Sequence, residues 1–179
     1  GCKKNKGRRR QERDHHTNRP KCQGKPAAGN ERPSNDQIWM RRRPALFYGA
    51  IFYRTIVLGK PEDKLRRLHE ATREAVDAVF TSARAGWTCE EVEALFRKTT
   101  RKHGFEKKSR VGYAIGIDWT EKTASLRPGD LTLLEPDATF HLMAGMWYDD
   151  WGYVMSESFR VTETGIESFS RLPRDLFVK

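Results

Sequence analysis

Apolar and polar positions along the chain divide it into two regimes of period. Residues 41–58, RRRPALFYGAIFYRTIVL, are densely aromatic and β-branched, which predicts one or two strands near 46–49 and 51–58, closed by Gly59. Pro61 suits the first turn of a helix, and Leu65, Leu68, Ala71, Ala75, Val76, Val79, Phe80 and Ala83 recur at helical spacing up to Gly86. Thr88 and Glu91 form a capping-box pair for a second helix with an apolar face of Val92, Leu95 and Phe96, ended by Gly104. From Arg110 onward the period falls to two. VGYAIGI, LTLLEP, ATFHLMAGMWY and YVMSESFRVTE read as strands separated by Pro-Gly-Asp, Pro-Asp and Asp-Asp-Trp-Gly turns. Strands, two helices, then an antiparallel β half make an α+β fold.

Within this pattern three polar residues fall where burial is expected. On YVMSESFRV, Glu157 shares a face with Tyr153, Met155, Phe159 and Val161, while Ser156 and Ser158 lie on the other. On LTLLE, Glu135 shares a face with Leu131 and Leu133, and His141 sits inside the apolar run TFHLM. A buried carboxylate or imidazole is paired, neutralised or working. Two carboxylates and a histidine suit general acid–base chemistry on a water molecule. No HExxH helix or paired-aspartate motif points to a metal. Arg127 and Arg160 are outlying candidates for a substrate carboxylate, beside their plainer reading as surface charges.

Composition changes the picture at one end only. Residues 1–43 hold 14 Lys and Arg against 4 Asp and Glu, the whole of the net charge of +10; residues 44–179 balance 20 of each. Residues 1–40 have few large apolar side chains and are expected to be a disordered basic leader, with non-specific polyanion binding as a subordinate role. Cys2, Cys22 and Cys89 match no disulfide framework or compact zinc finger. No apolar run is long enough to span a bilayer, and a reducing cytoplasm is the expected setting.

From Arg41 to Lys179, RTIVLGKP, SRVGYAIGIDW, SLRPGD, LLEPDATFHLMAGMW, DDWG and SESFRVTETGIE occur in the order seen in the catalytic domain of the pita-bread hydrolases. The chain resembles this group of Xaa-Pro aminopeptidases, methionine aminopeptidases and creatinase, and within it the ectoine hydrolases and their Xaa-Pro-peptidase-like relatives. The resemblance implies a curved antiparallel sheet with two helices on its outer face and a site in the concave face. It implies that residues 41–179 are the C-terminal part of that domain, in a fragment or truncated product. The metal-dependent members hold their ions with two aspartates, a histidine and two glutamates. By the resemblance, Ile51 and Met40 stand at or near the aspartate places, Tyr113 at the histidine and Ser156 at the strict place of the second glutamate. Glu135 matches the first glutamate, and Glu157 the second with a shift of one. The expectation is therefore a metal-independent hydrolase without cofactor, acting on a small cyclic amidine or N-acyl amino acid. Glu135, His141 and Glu157 would be catalytic, and Tyr113 and Trp147 would bind substrate. Gly49 stands where this metal-free branch has a catalytic histidine. The alternatives are an Xaa-Pro peptidase-like protein and an inactive fragment serving as a binding module. A homodimer is the implied assembly.

Overall fold

The computed structural model of the chain describes residues 35–42, 50–117 and 120–179. Most of the expected leader, residues 1–34, lies outside these, as do the expected strand at 46–49 and Gly49. Inside the leader's expected boundary at residue 40, the structure departs from expectation. Asn35–Arg42 is a strand, β1, antiparallel to β2, Ala50–Val57, over its whole length. Pairing with β2 supplies partners for the backbone groups of NDQIWMRR that a free leader would leave to water.

The two helices form where the local signals put them. Helix α1, Asp63–Ser82, buries Leu65, Leu68, Ala71, Ala75, Val76 and Val79 along one stripe. Helix α2, Cys89–Lys102, opens on the expected capping box: Thr88 Oγ1 accepts from Glu91 N at 3.2 Å, and a Glu91 carboxylate oxygen accepts from Thr88 N at 2.7 Å. Both helices lie on one face of the sheet, in a core shared with Leu126, Phe140, Leu142, Phe159 and Val161. Phe159 meets Phe80 edge-on and stacks on Phe140. Burying each such side chain stabilises the fold by about 1.5–3 kcal/mol.

The sheet continues with β3 (Gly112–Ala114), β4 (Ser125–Leu126), β5 (Thr139–Met143), β6 (Met146–Trp147), β7 (Gly152–Tyr153), β8 (Ser156–Val161), β9 (Ile166–Ser168) and β10 (Phe177–Val178). The strand order is β1-β2-β8-β5-β3-β4, antiparallel at every step, with β6 and β7 as a separate ribbon. At β2 and β8 the sheet forks. The two strands share a single register pair, Tyr53 with Ser156, before β2 turns to β10 and β8 to β9. Hydroxyls extend the ladder on both sides of that pair. Ser158 Oγ bonds both Ile51 N and Ile51 O, and Thr55 Oγ1 bonds both Val154 N and Val154 O.

Arg54 closes the fork from the core side. All five of its N–H groups find oxygens: Pro173 O from Nε, Tyr53 O and Ser156 O from one terminal nitrogen, Glu157 Oε1 and Leu172 O from the other. Glu157, 1% exposed, also accepts from Arg174 Nε and Ser168 Oγ.

The expected strand LTLLEP is not a ladder member. Its backbone turns instead to the start of α2, where Cys89 N donates to Thr132 O, Glu90 N to Asp130 O, and Leu134 N to Trp87 O. Free N–H groups at a helix N-terminus need acceptors, and this segment supplies two of them. The turnover inverts the expected faces. Leu134 is buried, whereas Leu131 and Leu133 are exposed, and Glu135 goes out with them.

Two stability measurements test this account. A Cβ on Gly112 would strike the His141 carbonyl oxygen and come within 2.7 Å of Leu126 Cδ1, while one on Gly165 meets open space. Gly112→Ala is expected to cost about 1–3 kcal/mol in thermal unfolding, and Gly165→Ala about 0.5 kcal/mol or less. Equal effects would refute the tight β3–β5 approach. Glu157→Gln strips the clasp of its carboxylate and should cost about 3 kcal/mol in urea unfolding. Arg160→Gln breaks exposed pairs to Asp137 and Glu167 and should cost about 1 kcal/mol or less. A Glu157→Gln chain as stable as wild type would remove the clasp from its proposed place.

Candidate active site on the concave face

Strict alternation sorts the side chains of β5 and β8 into two sets. Phe140, Leu142, Glu157 and Phe159 face the helices; His141, Met143, Ser156 and Ser158 face the other way. Cross-strand register then assembles rows on the helix-free face. One row runs Ser125, Tyr113, His141, Ser158 across β4, β3, β5 and β8, and reaches Ile51 through the Ser158 hydroxyl. The next row holds Met143, Ser156 and Tyr53. Tyr53, Tyr113, His141, Ser156 and Ser158 are all buried.

His141 is the centre of this arrangement. Its ring lies 5.4 Å from that of Tyr113 and 5.9 Å from that of Tyr53. Ser158 Oγ spends its proton on Ile51 O at 2.7 Å and takes one from Ile51 N at 3.1 Å. Toward His141 Nδ1, 3.3 Å away, it has only a lone pair left, so the network assigns the ring proton to Nδ1 and makes Nε2 the acceptor nitrogen. Burial lowers the imidazole pKa to about 4, against a smaller opposing pull from the Ile51 backbone. The ring is therefore neutral at physiological pH. Burial likewise raises the Tyr53 hydroxyl above its ordinary value.

The sequence-expected residues divide over this geometry. His141 and Tyr113 meet. Trp147 lies apart from them on the separate β6–β7 ribbon, 57% exposed, with its ring laid over the bare backbone of Gly152. Glu157 is on the apolar face, as its pattern indicated, and is held there by Arg54 and Arg174 on the side of the sheet away from His141. Glu135 is exposed on the loop after the α2 contact, beside Leu133 and Asp137 at a groove of about 440 Å³. The expected convergence of Glu135, His141 and Glu157 is not what the structure holds. One carboxylate turned with its backbone toward α2, and the other is one residue out of phase with the histidine's face. Of the outlying arginines, Arg160 pairs with Asp137 and Glu167, and Arg127 is exposed.

Sequence reasoning passed over Tyr53, Met143, Ser156 and Ser158 as site residues. Their signal was present: two serines at period two, opposite an apolar stripe, on a strand whose neighbours are apolar. It also passed over Lys107, a buried ammonium that donates to Gly145 O and Ser109 Oγ and so ties the start of β3 to the end of β5. Burial, then repulsion from Arg97, lowers its pKa to about 8.

Whether the site residues fit a metal can be judged from the donor set. Among the described residues no three of His, Cys, Asp and Glu lie together as ligands. Among the described residues the concave face offers one imidazole, hydroxyls and a thioether, with no carboxylate, a set that does not suit a hard divalent cation.

Comparison with known proteins agrees with the fold. Residues 44–163 match the model of metallopeptidase family M24. An uncharacterized hydrolase/peptidase of Sinorhizobium fredii is 50% identical over 132 residues, which are 73% of this chain and 34% of that protein. The ectoine hydrolase of Halomonas elongata is 40% identical over 137 residues, 74% of this chain and 34% of that protein. The chain thus spans about a third of the length of the curated relatives it matches. Among solved structures, a dipeptidase from Mycobacterium ulcerans superposes with a TM-score of 0.74 at 23% identity, over 79% of this chain and 39% of that one. The α+β sheet with both helices on one face is the C-terminal part of a pita-bread fold. The chain belongs to the M24 family.

Proposed function

We propose that this domain carries part of the active site of a hydrolase that opens a C–N bond in a small cyclic amidine or N-acyl amino acid, without a resident metal. The carrying observation is the buried, carboxylate-free row of Tyr113, His141 and Ser158 on the concave face. The 40% identical ectoine hydrolase supports the substrate class, and the donor set supports the metal-free chemistry. In this reading His141, neutral and held by Ser158, orients substrate or water through Nε2. The Tyr113 hydroxyl donates a hydrogen bond, and Trp147 forms an apolar wall at the rim. Glu157 holds the sheet together and does not touch substrate; Glu135 is not part of the site. The same proposal includes a cytoplasmic setting, with Cys89 as a free buried thiol, and a homodimer joined through exposed sheet edges. Among the described residues no helix is long and apolar enough to cross a membrane.

A second reading has a specific observation behind it: among the described residues the concave face has no carboxylate to act as base. A chain of that kind would bind the same small molecules without turning them over, as a binding module.

Purified chain is expected to hydrolyse ectoine or the dipeptide glycyl-proline at a rate unchanged by EDTA. Activity that EDTA abolishes and added Mn²⁺ restores would overturn the metal-free mechanism. Binding without product would select the binding module.

The neutral imidazole has a consequence for stability. Above its ordinary pKa of 6.5, His141 is uncharged in both folded and unfolded chains. Between about 6.5 and about 4 the unfolded chain takes up a proton that the folded chain refuses. Stability is therefore full above 6.5 and falls as pH drops toward 4, by about 3 kcal/mol at most. Urea midpoints at pH 7 and pH 4 should differ more for wild type than for His141→Gln. His69, whose pKa burial also lowers, shifts both chains alike. Identical pH losses in the two chains would show that His141 is not buried neutral.

A further inference from the structure

We propose that the Ser156 hydroxyl is an oxyanion donor, a catalytic residue for the hydrolysis proposed above, on which this inference rests. Ser156 is fully buried on the concave face, and its Oγ has no hydrogen-bond partner among the described residues. Its neighbours differ. Ser158 Oγ is consumed by Ile51 N, Ile51 O and His141 Nδ1. Thr55 Oγ1 is consumed by Val154, and Ser125 Oγ by Gly112 O and Arg110. Each of those hydroxyls has a ladder or surface task, and Ser156 has none.

A buried hydroxyl without a partner destabilises the free protein, and alanine at this position would fill nearly the same volume without that penalty. Such a group in a native core calls for a reason. Ser156 stands in register between Tyr53 on β2 and Met143 on β5. Met143 is half-buried and unbranched, a side chain able to re-pack beside the hydroxyl. The surroundings are aromatic and apolar: Tyr53, Ile51 and Val154 pack together beside it. In that low-dielectric setting a single O–H donor is worth most where negative charge develops.

The step is amide hydrolysis, on the N-acyl member of the proposed substrate class. A water oxygen bonds to the acyl carbon, and the C=O π pair moves onto oxygen, where the Ser156 proton meets it. The pair then returns, the C–N bond breaks, and the nitrogen leaves with a proton from the water. Ser156 gives up no atom and keeps its proton throughout.

The test compares wild type, Ser156→Ala and Ser156→Thr on two amides, glycyl-proline and N-acetylproline, with melting curves of the free chains. Ser156→Ala is expected to lower kcat about 100-fold with KM little changed. Its melting temperature should equal or exceed that of wild type, and Ser156→Thr, which keeps the hydroxyl, should retain most of the rate. An unchanged kcat in Ser156→Ala would overturn the role. A lower melting temperature with unchanged kcat would identify a structural hydroxyl held by a trapped water and would overturn it equally. A wild-type chain inert toward both probes would overturn the hydrolase reading itself, a failure distinct from loss of the donor role in an active chain.

Discussion

The buried Arg54 guanidinium holds together the part of the sheet that cannot hold itself. Where β2 and β8 part company, the peptide carbonyls of Tyr53 and Ser156 accept from Arg54, and the chain end brings Leu172 O and Pro173 O to the same place. A planar cation with five donors in a fixed fork can serve all of these and a carboxylate together; a lysine ammonium could serve three at most. The charge would be costly there alone. Glu157, itself bonded by Arg174 and Ser168, makes the burial tolerable.

That clasp also decides the character of the opposite face. Because Glu157 is spent on Arg54, the next residue in each direction, Ser156 or Ser158, carries β8's polarity on the concave side. The face is therefore assembled from hydroxyls, phenols and one imidazole. Such groups bring little field of their own, but burial keeps water from screening them. In the proposed chemistry such a face positions a bound substrate and hydrogen-bonds to charge that develops on it.

The forked sheet has a further effect. Ser158 and Thr55 replace missing ladder bonds with hydroxyls, so β2 stays in register with β8 without running close along it. Ser158 thereby has two duties, splicing the sheet and fixing the tautomer of His141. A residue of this kind joins stability to function directly.

What was legible in the chain was what short-range physics controls. The Thr88–Glu91 capping box, the apolar stripe of α1 and the phase of Glu157 with Phe159 follow from periods of 3.6 and 2 and from hydrogen bonds within one turn, so the sequence by itself determined them. The M24 resemblance was equally legible, in ordered motifs. Tertiary structure decided the rest, because it depended on partners distant in the chain. Glu135 left the expected face because the orphan N–H groups of α2, some forty residues earlier, claimed the carbonyls of 130–132. Ser158 rather than Glu157 stands opposite His141 because register between β5 and β8 is a property of the pair, and a carboxylate's role is settled by whichever cation, here Arg54 more than a hundred residues away, meets it first.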